Sequence, residues 1–344
     1  MSTVTTPTPT PTPTPAADRG THPVTAVVRR VLTDRTLLLA VVLIAVVLFF
    51  GARVPYFLTY TNLAGSMGYA VEVGLLALAE LIVVVSGRGA IDLSVGSMVS
   101  LTSMIFGLAA TQWHLGLAGG VAATLLCGLA LGAINGFLIA YLRFPAIIVT
   151  LATLYAFSAI PLVLTGTVPI SNLPPELFKL TQYLSGIPTQ VFFIYVPVIV
   201  VVWFLLNRTG FGRRLYGVGT NDVAARFAGL DVARTRFWAY ALSGLLSGLA
   251  AVVTTARFAS ARPDAGVNME LMAITVAVLG GVAITGGVGR VSGVVLATLT
   301  VTVINNAISV ANYPAIWQVG TLGFVLLLAA LLNSVAQRVF GSGG

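Results

Sequence analysis

The chain has 344 residues, 57% of them hydrophobic, and carries only 18 basic and 10 acidic side chains. At the usual one residue in four, about 86 charges would be expected, so an ordinary soluble domain, a disordered protein and a nucleic-acid binder are excluded. The formal net charge of +8 is therefore read as membrane topology rather than as affinity for a polyanion.

The first 23 residues are of low complexity. Thr-Pro alternation from Thr6 to Pro15 favours extended polyproline conformations and buries nothing. The segment has no apolar core of its own, so it is not read as a signal peptide. Residues 1–35 are expected to form a disordered Thr/Pro-rich tail with a basic flank, on the cytoplasmic side.

From Thr36 the chain reads as apolar spans of about 17–25 residues, each long enough to cross a bilayer core. Their expected limits are 36–52, 63–85, 94–111, 117–142, 146–166, 191–206, 236–256, 268–286, 292–311 and 315–334. The expectation is an all-α integral membrane protein of about ten transmembrane helices over residues 36–338. The boundary at 86–94 is interrupted by Gly87, Arg88, Gly89 and Asp92. With the N-terminus inside, fourteen basic residues fall on inner segments and four, Arg53, Lys179, Arg257 and Arg262, on outer ones. This positive-inside bias places both termini in the cytoplasm.

Two connections stand out. The outer one, 167–190, contains Pro169, Pro174, Pro175 and Pro188, and reads either as a contact for an outside partner or as a plain connector. The inner one, 207–235, concentrates Arg208, Arg213, Arg214, Asp222, Arg226, Asp231 and Arg234, with Arg236 at its border. Within it, Asn221 is a candidate helix N-cap and Gly229 a C-terminal stop. Small residues and Phe227 lie between them, a pattern better suited to a helix that docks a cytoplasmic protein than to a simple interfacial helix.

Glycines at four-residue spacing, Gly128, Gly132 and Gly136, and the pairs Gly244–Gly248 and Gly289–Gly293, read as close helix packing. The doublets Gly280-Gly281 and Gly286-Gly287 weaken a helix locally and mark a break or hinge. Polar groups within spans are costly in hydrocarbon, which makes them functional candidates. These are Glu72, Glu80, Asp92, Ser94, Asn135, Thr150, Glu270, Asn305, Asn306 and Gln318. Amides and hydroxyls with few charges suit a neutral polyhydroxylated solute, whereas plain interhelical hydrogen bonding is the competing reading for each residue. Glu72 and Glu80, about 80° apart on an ideal helix, would instead be proton-relay carboxylates in a secondary carrier.

Chemistry on the chain itself finds little support. The only lysine, Lys179, is followed by Leu180, so the G-x-x-x-x-G-K-[ST] phosphate loop is absent. One cysteine, Cys127, and two histidines, His22 and His114, offer neither a metal set nor H-E-x-x-H. No catalytic, cofactor-binding or metal residue is assigned.

Four ordered motifs carry a resemblance. Ile91-Asp92-Leu93-Ser94-Val95-Gly96-Ser97 resembles the I-D-L-S-V-G-S signature of permease subunits from bacterial ribose/xylose/arabinose/galactoside-type ABC importers. Asn135-Gly136 with Pro145 to Leu151, the loop Gly219 to Gly229, and Leu279-Gly280-Gly281 to Gly289 with Asn305-Asn306 are similar to further stretches of that family. The resemblance spans about residues 36–338.

It implies a ten-helix permease in the bacterial plasma membrane, working as a dimer with a second copy or a paralogue. An ABC ATPase subunit that binds ATP and Mg would lie beneath it, and an extracytoplasmic solute-binding protein outside. By the family pattern Asn221, Asp222, Ala224, Ala225, Arg226 and Gly229 would form the helix that receives the ATPase stroke. The solute pathway would be sought at Glu72, Asp92, Ser94, Asn135, Thr150, Asn305 and Asn306, and a hinge at Gly280, Gly281, Gly286 and Gly287. This sequence departs from the pattern at Asp222 for Glu, Ala228 for Ser, Ala90 for Gly, and Val282-Ala283 for Thr-Ser. The expected function is ATP-driven import of a monosaccharide or similar polyol, with a proton-coupled sugar carrier using Glu72 or Glu80 as the alternative.

Overall fold

A computed structural model describes residues 35–314 and scattered residues between 316 and 327. The Thr-Pro tail and most of the tenth expected span lie outside the described residues. The described residues are mainly helical, with one two-residue hairpin, Tyr183–Leu184 paired with Ile187–Pro188, in the outer connection.

The helices are α1 (Arg35–Arg53), α2 (Tyr60–Val85), α3 (Val95–Gly107), α4 (Gly116–Ala140), α5 (Ala146–Thr165), α6 (Val196–Arg208), α7 (Gly210–Thr220), α8 (Asp222–Phe227), α9 (Val232–Phe258), α10 (Met269–Leu279) and α11 (Val291–Val310). A wider helical turn extends α3 to Gln112, and another over Val191–Tyr195 leads into α6. Among the described residues eight helices are long and apolar enough to cross a membrane.

Helix α2 is the axis of the bundle. From Ala70 to Val85 it is apolar all round except at Glu72 and Glu80, and every residue there is buried. A helix with no polar face must be enclosed, and α9, α10 and α11 enclose this one. By contrast α1, α4, α5 and α6 present broad apolar faces outward, the expected surface of a protein in lipid. Helices α4 and α9 touch backbone to backbone, as the glycine spacing predicts. A Cβ on Gly132 would run into Tyr240 O and Gly244, and one on Gly136 would meet Phe237 O at 2.7 Å. Close approach of this kind stands in for the hydrophobic drive that lipid cannot supply.

The eighth expected span, 268–286, is corrected. Only Met269–Leu279 is helical there, 11 residues or about 16 Å, too short for a core of about 30 Å. The missing half lies before the helix, in the non-helical segment 259–268. Ala261 exchanges backbone hydrogen bonds with Ile170, at 2.9 Å each way. Further along, Arg262 N–H donates to Ser103 Oγ (3.3 Å) and Gly266 N–H to Ser100 Oγ (3.0 Å). Glu270 then reaches Gly96, where a Cβ would collide with its carboxylate. The segment thus descends antiparallel to α3, and the crossing is completed by the half-length α10. A broken span of this type is stable where side chains of its neighbours satisfy the freed backbone.

Beyond α10 the chain is held non-helical through Arg290, with Gly281, Gly286 and Gly287 at φ of +87°, +96° and +71°. This is the break that the glycine doublets predict. A second break joins α2 to α3, where Gly87, Arg88 and Gly89 all have positive φ (83°, 61° and 66°).

Candidate functional site: two helix breaks and the helix that touches them

The expected pathway residues separate into three places. Asp92, Ser94, Asn135 and Thr150 are brought together around the α2–α3 break. Ser94 donates to Asp92 Oδ1 from its backbone N–H (3.1 Å) and its hydroxyl (2.6 Å), and Ser243 Oγ donates to Asp92 Oδ2 (2.9 Å). Asn135 Nδ2 donates to Ser94 Oγ (2.8 Å), and Thr150 Oγ1 donates to Ile91 O (3.2 Å). Asp92 N–H approaches Glu80 Oε2 at 3.4 Å. All of these side chains are fully buried. Helices α2, α4, α5 and α9 are thereby pinned to one irregular loop, and each lost bond leaves a stranded polar group costing about 1–3 kcal/mol.

Glu72 lies farther along α2 and is held by Arg257 through two parallel bonds, Nε to Oε1 (2.5 Å) and Nη2 to Oε2 (2.8 Å). The guanidinium also rests 4.2 Å from the Phe258 ring centre and 5.6 Å from that of Tyr69. A carboxylate clamped in this way is a fixed ion pair, which removes the free Glu72 that a proton-coupled carrier requires. Asn306 forms the third place, exchanging amide hydrogen bonds with Asn62 at 2.8 and 2.9 Å. Its neighbour Asn305 is buried with neither amide atom partnered among the described residues.

The short inner helix α8 forms as its flanking residues dictate. Asn221 Oδ1 accepts from Val223 N–H (3.1 Å) and Ala224 N–H (2.9 Å), the N-cap geometry. Gly229, at φ +77°, ends the helix in the left-handed conformation. Ala225 is buried against Val218, Leu230 and Val232. Phe227, at 90% exposure, and Val223 point away from the protein, which leaves an apolar tip on a polar surface. Ala224 and Arg226 flank that tip.

Asp222 connects α8 to the rest of the molecule. Its Oδ2 faces three guanidinium groups: Arg88 (3.2 Å), Arg226 (3.5 Å) and Arg236 (3.7 Å). Arg88 sits between the two positive-φ glycines of the α2–α3 break and is itself left-handed, a conformation that costs a non-glycine residue about 1–2 kcal/mol. Arg236 Nε donates to Ser86 O at the start of the same break (3.3 Å).

Beside this ion cluster the last turn of α7 meets the two non-helical breaks. A Cβ on Gly87 would strike Gly219 at 2.7 Å, one on Gly219 would overlap Val85 O, and one on Gly286 would overlap Gly87. Gly287 N–H donates to Val85 O (3.0 Å). Gly286 and Gly287 therefore pack directly onto the α2–α3 break and onto the end of α7 that leads into α8, whereas Gly280 packs against Gly293 and Val294 of α11. Val282 is buried, and Ala283 N–H closes a turn on Val288 O (2.9 Å), so this turn holds without the hydroxyl pair of the family pattern. Sequence reasoning missed Arg88, Arg236, Arg257, Ser243 and Asn62 as partners. For Arg88 alone a signal existed, its position between two glycines.

Comparison with known proteins identifies the family. Residues 62–330 match a protein-family profile described as the permease component of branched-chain amino acid transport systems. The autoinducer 2 import system permease protein LsrD of Photorhabdus laumondii is 33% identical over 87% of this chain and 90% of its own length. The ribose import permease protein RbsC of Escherichia coli is 31% identical over 88% of this chain and 94% of its own. The L-arabinose transport system permease protein AraH of the same species is 33% identical over 87% and 89%. No solved structure matches. With the profile covering most of its length and relatives above 30% identity, the chain belongs to this family of transport-system permease components, as a multi-pass membrane protein.

Proposed function

We infer that the chain is the membrane-spanning permease subunit of an ABC importer for a monosaccharide or similar small polyol, resident in the bacterial plasma membrane. The observation that carries the reading is that α8 and the end of α7 just before it meet both helix breaks, through Asp222–Arg88 and through Gly219 against Gly87 and Gly287. A helix that only decorated the surface would have no reason to rest on the irregular parts of the bundle. The family profile is described by amino acid transport, whereas the relatives above are named for ribose, arabinose and autoinducer 2. The uncharged amides and hydroxyls inside this bundle favour the sugar class.

The mechanism follows from the connections. An ATPase subunit grips the apolar tip at Val223 and Phe227 and moves α8 when it closes on ATP. Asp222 carries that motion to Arg88, and the glycine contacts carry it to the 280–290 loop. These two breaks lead into α3 and α11 and follow α2 and α10, so one displacement re-angles helices on both sides of the core. Gly280, Gly281, Gly286 and Gly287 supply the backbone freedom. A solute-binding protein delivers the sugar outside, and a second permease copy or paralogue completes the pathway. Of the seven pathway candidates, Asn305 alone keeps both amide atoms unpartnered among the described residues, and we assign it the first solute contact. No bond in the solute is made or broken.

Co-expression with the ATPase subunit tests the docking assignment. The wild-type chain should retain the ATPase through purification and Phe227→Asp should lose it. Equal retention by both would reject α8 as the docking element.

A further inference from the structure

Behind α8 the inner face holds a cavity of about 500 Å³, bounded by the α2–α3 break, the α4–α5 connection and the start of α9. Four arginines line it, Arg88, Arg143, Arg226 and Arg236. Asp222 neutralises one charge among three of them. Asp231, the one acidic residue in the lining, is used as the N-cap of α9 by accepting from Arg234 N–H (2.9 Å). Four guanidinium groups against two carboxylates leave two positive charges uncompensated. Arg143 has no ion-pair partner among the described residues, and its φ of +62° holds it in the tight turn at the rim.

The decisive group is Arg236. It is 94% buried, since its exposure is 6%, and its Nη2 has no hydrogen-bond partner. A buried guanidinium nitrogen left unbonded is expensive, and Arg236 lines an open cavity. An anion with several oxygens would satisfy it, and phosphate is the group that arginine forks recognise best. The apolar side of the same cavity selects among phosphates. Tyr141 and Phe144 line it and are about half exposed, at the ends of helices whose apolar faces look outward into lipid.

We propose that this cavity binds the phosphodiester headgroup of an anionic phospholipid from the inner leaflet. Arg143 and Arg236 hold the phosphate oxygens while the acyl chains leave past Tyr141 and Phe144 along α4 and α5. The site shares Arg88 and Arg226 with the Asp222 cluster. Its occupation would therefore stiffen the contact between α8 and the α2–α3 break, making coupling dependent on lipid charge. Basic pockets between helices at the cytoplasmic boundary have this recognition chemistry.

Native mass spectrometry of the purified full chain in detergent tests it, comparing phosphatidylglycerol with phosphatidylcholine of identical acyl chains. The expected result is one phosphatidylglycerol retained about tenfold more strongly than phosphatidylcholine, the advantage disappearing in Arg143→Gln. Arg143 is exposed, so that variant should fold; Arg236→Met is the second variant, with thermal unfolding as its fold control. A parallel titration with inorganic phosphate separates the sources. If free phosphate displaces the lipid only at far higher concentration, the headgroup assignment stands; if it saturates the site as readily as the lipid, that assignment is overturned. Equal retention of the two lipids, or a phosphatidylglycerol preference unchanged in Arg143→Gln, would overturn the site. Loss of the bound lipid whenever the ATPase subunit is docked would also overturn it, placing a protein side chain in the cavity.

Discussion

Asp222 on α8 and Arg88 in the α2–α3 break face each other across 3.2 Å, and this pair connects the short inner helix with the irregular turn between α2 and α3. An isolated pair of this exposure is worth only about 0–1 kcal/mol. Its importance is geometric, because Arg88 sits in a left-handed turn and Arg236 binds both Asp222 and Ser86 O.

Replacing Asp222 by Ala should leave three arginines facing one another. The expected cost is about 1–2 kcal/mol in stability, between the values for surface and buried pairs, with a much larger loss of transport per ATP hydrolysed. Asp222→Glu, the residue of the family pattern, should restore coupling. Thermal unfolding and the transport-to-hydrolysis ratio separate the two effects; a ratio unchanged in Asp222→Ala would remove the pair from the coupling path.

Truncating Arg257 should destabilise the protein by about 3–5 kcal/mol, because Glu72 would remain as a buried carboxylate without a partner. Removing both ends, as in Glu72→Leu with Arg257→Met, should recover most of that loss. The double-mutant cycle measures the coupling between them. A near-zero coupling energy would show that the two bonds in the structure contribute nothing together.

Gly219→Ala should impair folding or transport, since its methyl group would overlap Val85 O and crowd Gly287 N at 2.6 Å; overpacking of this kind costs about 1–3 kcal/mol. Gly65→Ala in α2 has nothing within 4 Å of the new methyl and should be neutral or slightly stabilising. Gly229→Ala also meets open space but must adopt φ +77°, so it should strain the end of α8 by about 1 kcal/mol while the bundle stays folded. Unfolding midpoints should rise from Gly219→Ala through Gly229→Ala to Gly65→Ala.

Local pattern made the helices, the glycine face of α4 and the limits of α8 legible, because each depends on residues within a few positions. Asn221 caps and Gly229 stops α8 for reasons contained in that segment. The broken crossing was not legible, since hydropathy cannot distinguish an apolar helix from a buried loop, and what holds 259–268 inside is hydrogen bonding to Ser100 and Ser103 on another helix. The same applies to the polar residues. Asp92 and Asn135 announce themselves by their cost in hydrocarbon, but only the packing of α9 shows that Ser243 completes their network. Arg257 reads as an outer-loop cation until the bundle brings it to Glu72.

The most direct test of the account is sugar uptake by the purified chain in proteoliposomes, with and without its ATPase subunit and binding protein. The account predicts uptake only with both partners present and ATP hydrolysed, unaffected by a protonophore. Uptake by the chain alone, driven by a proton gradient and abolished by a protonophore, would contradict it.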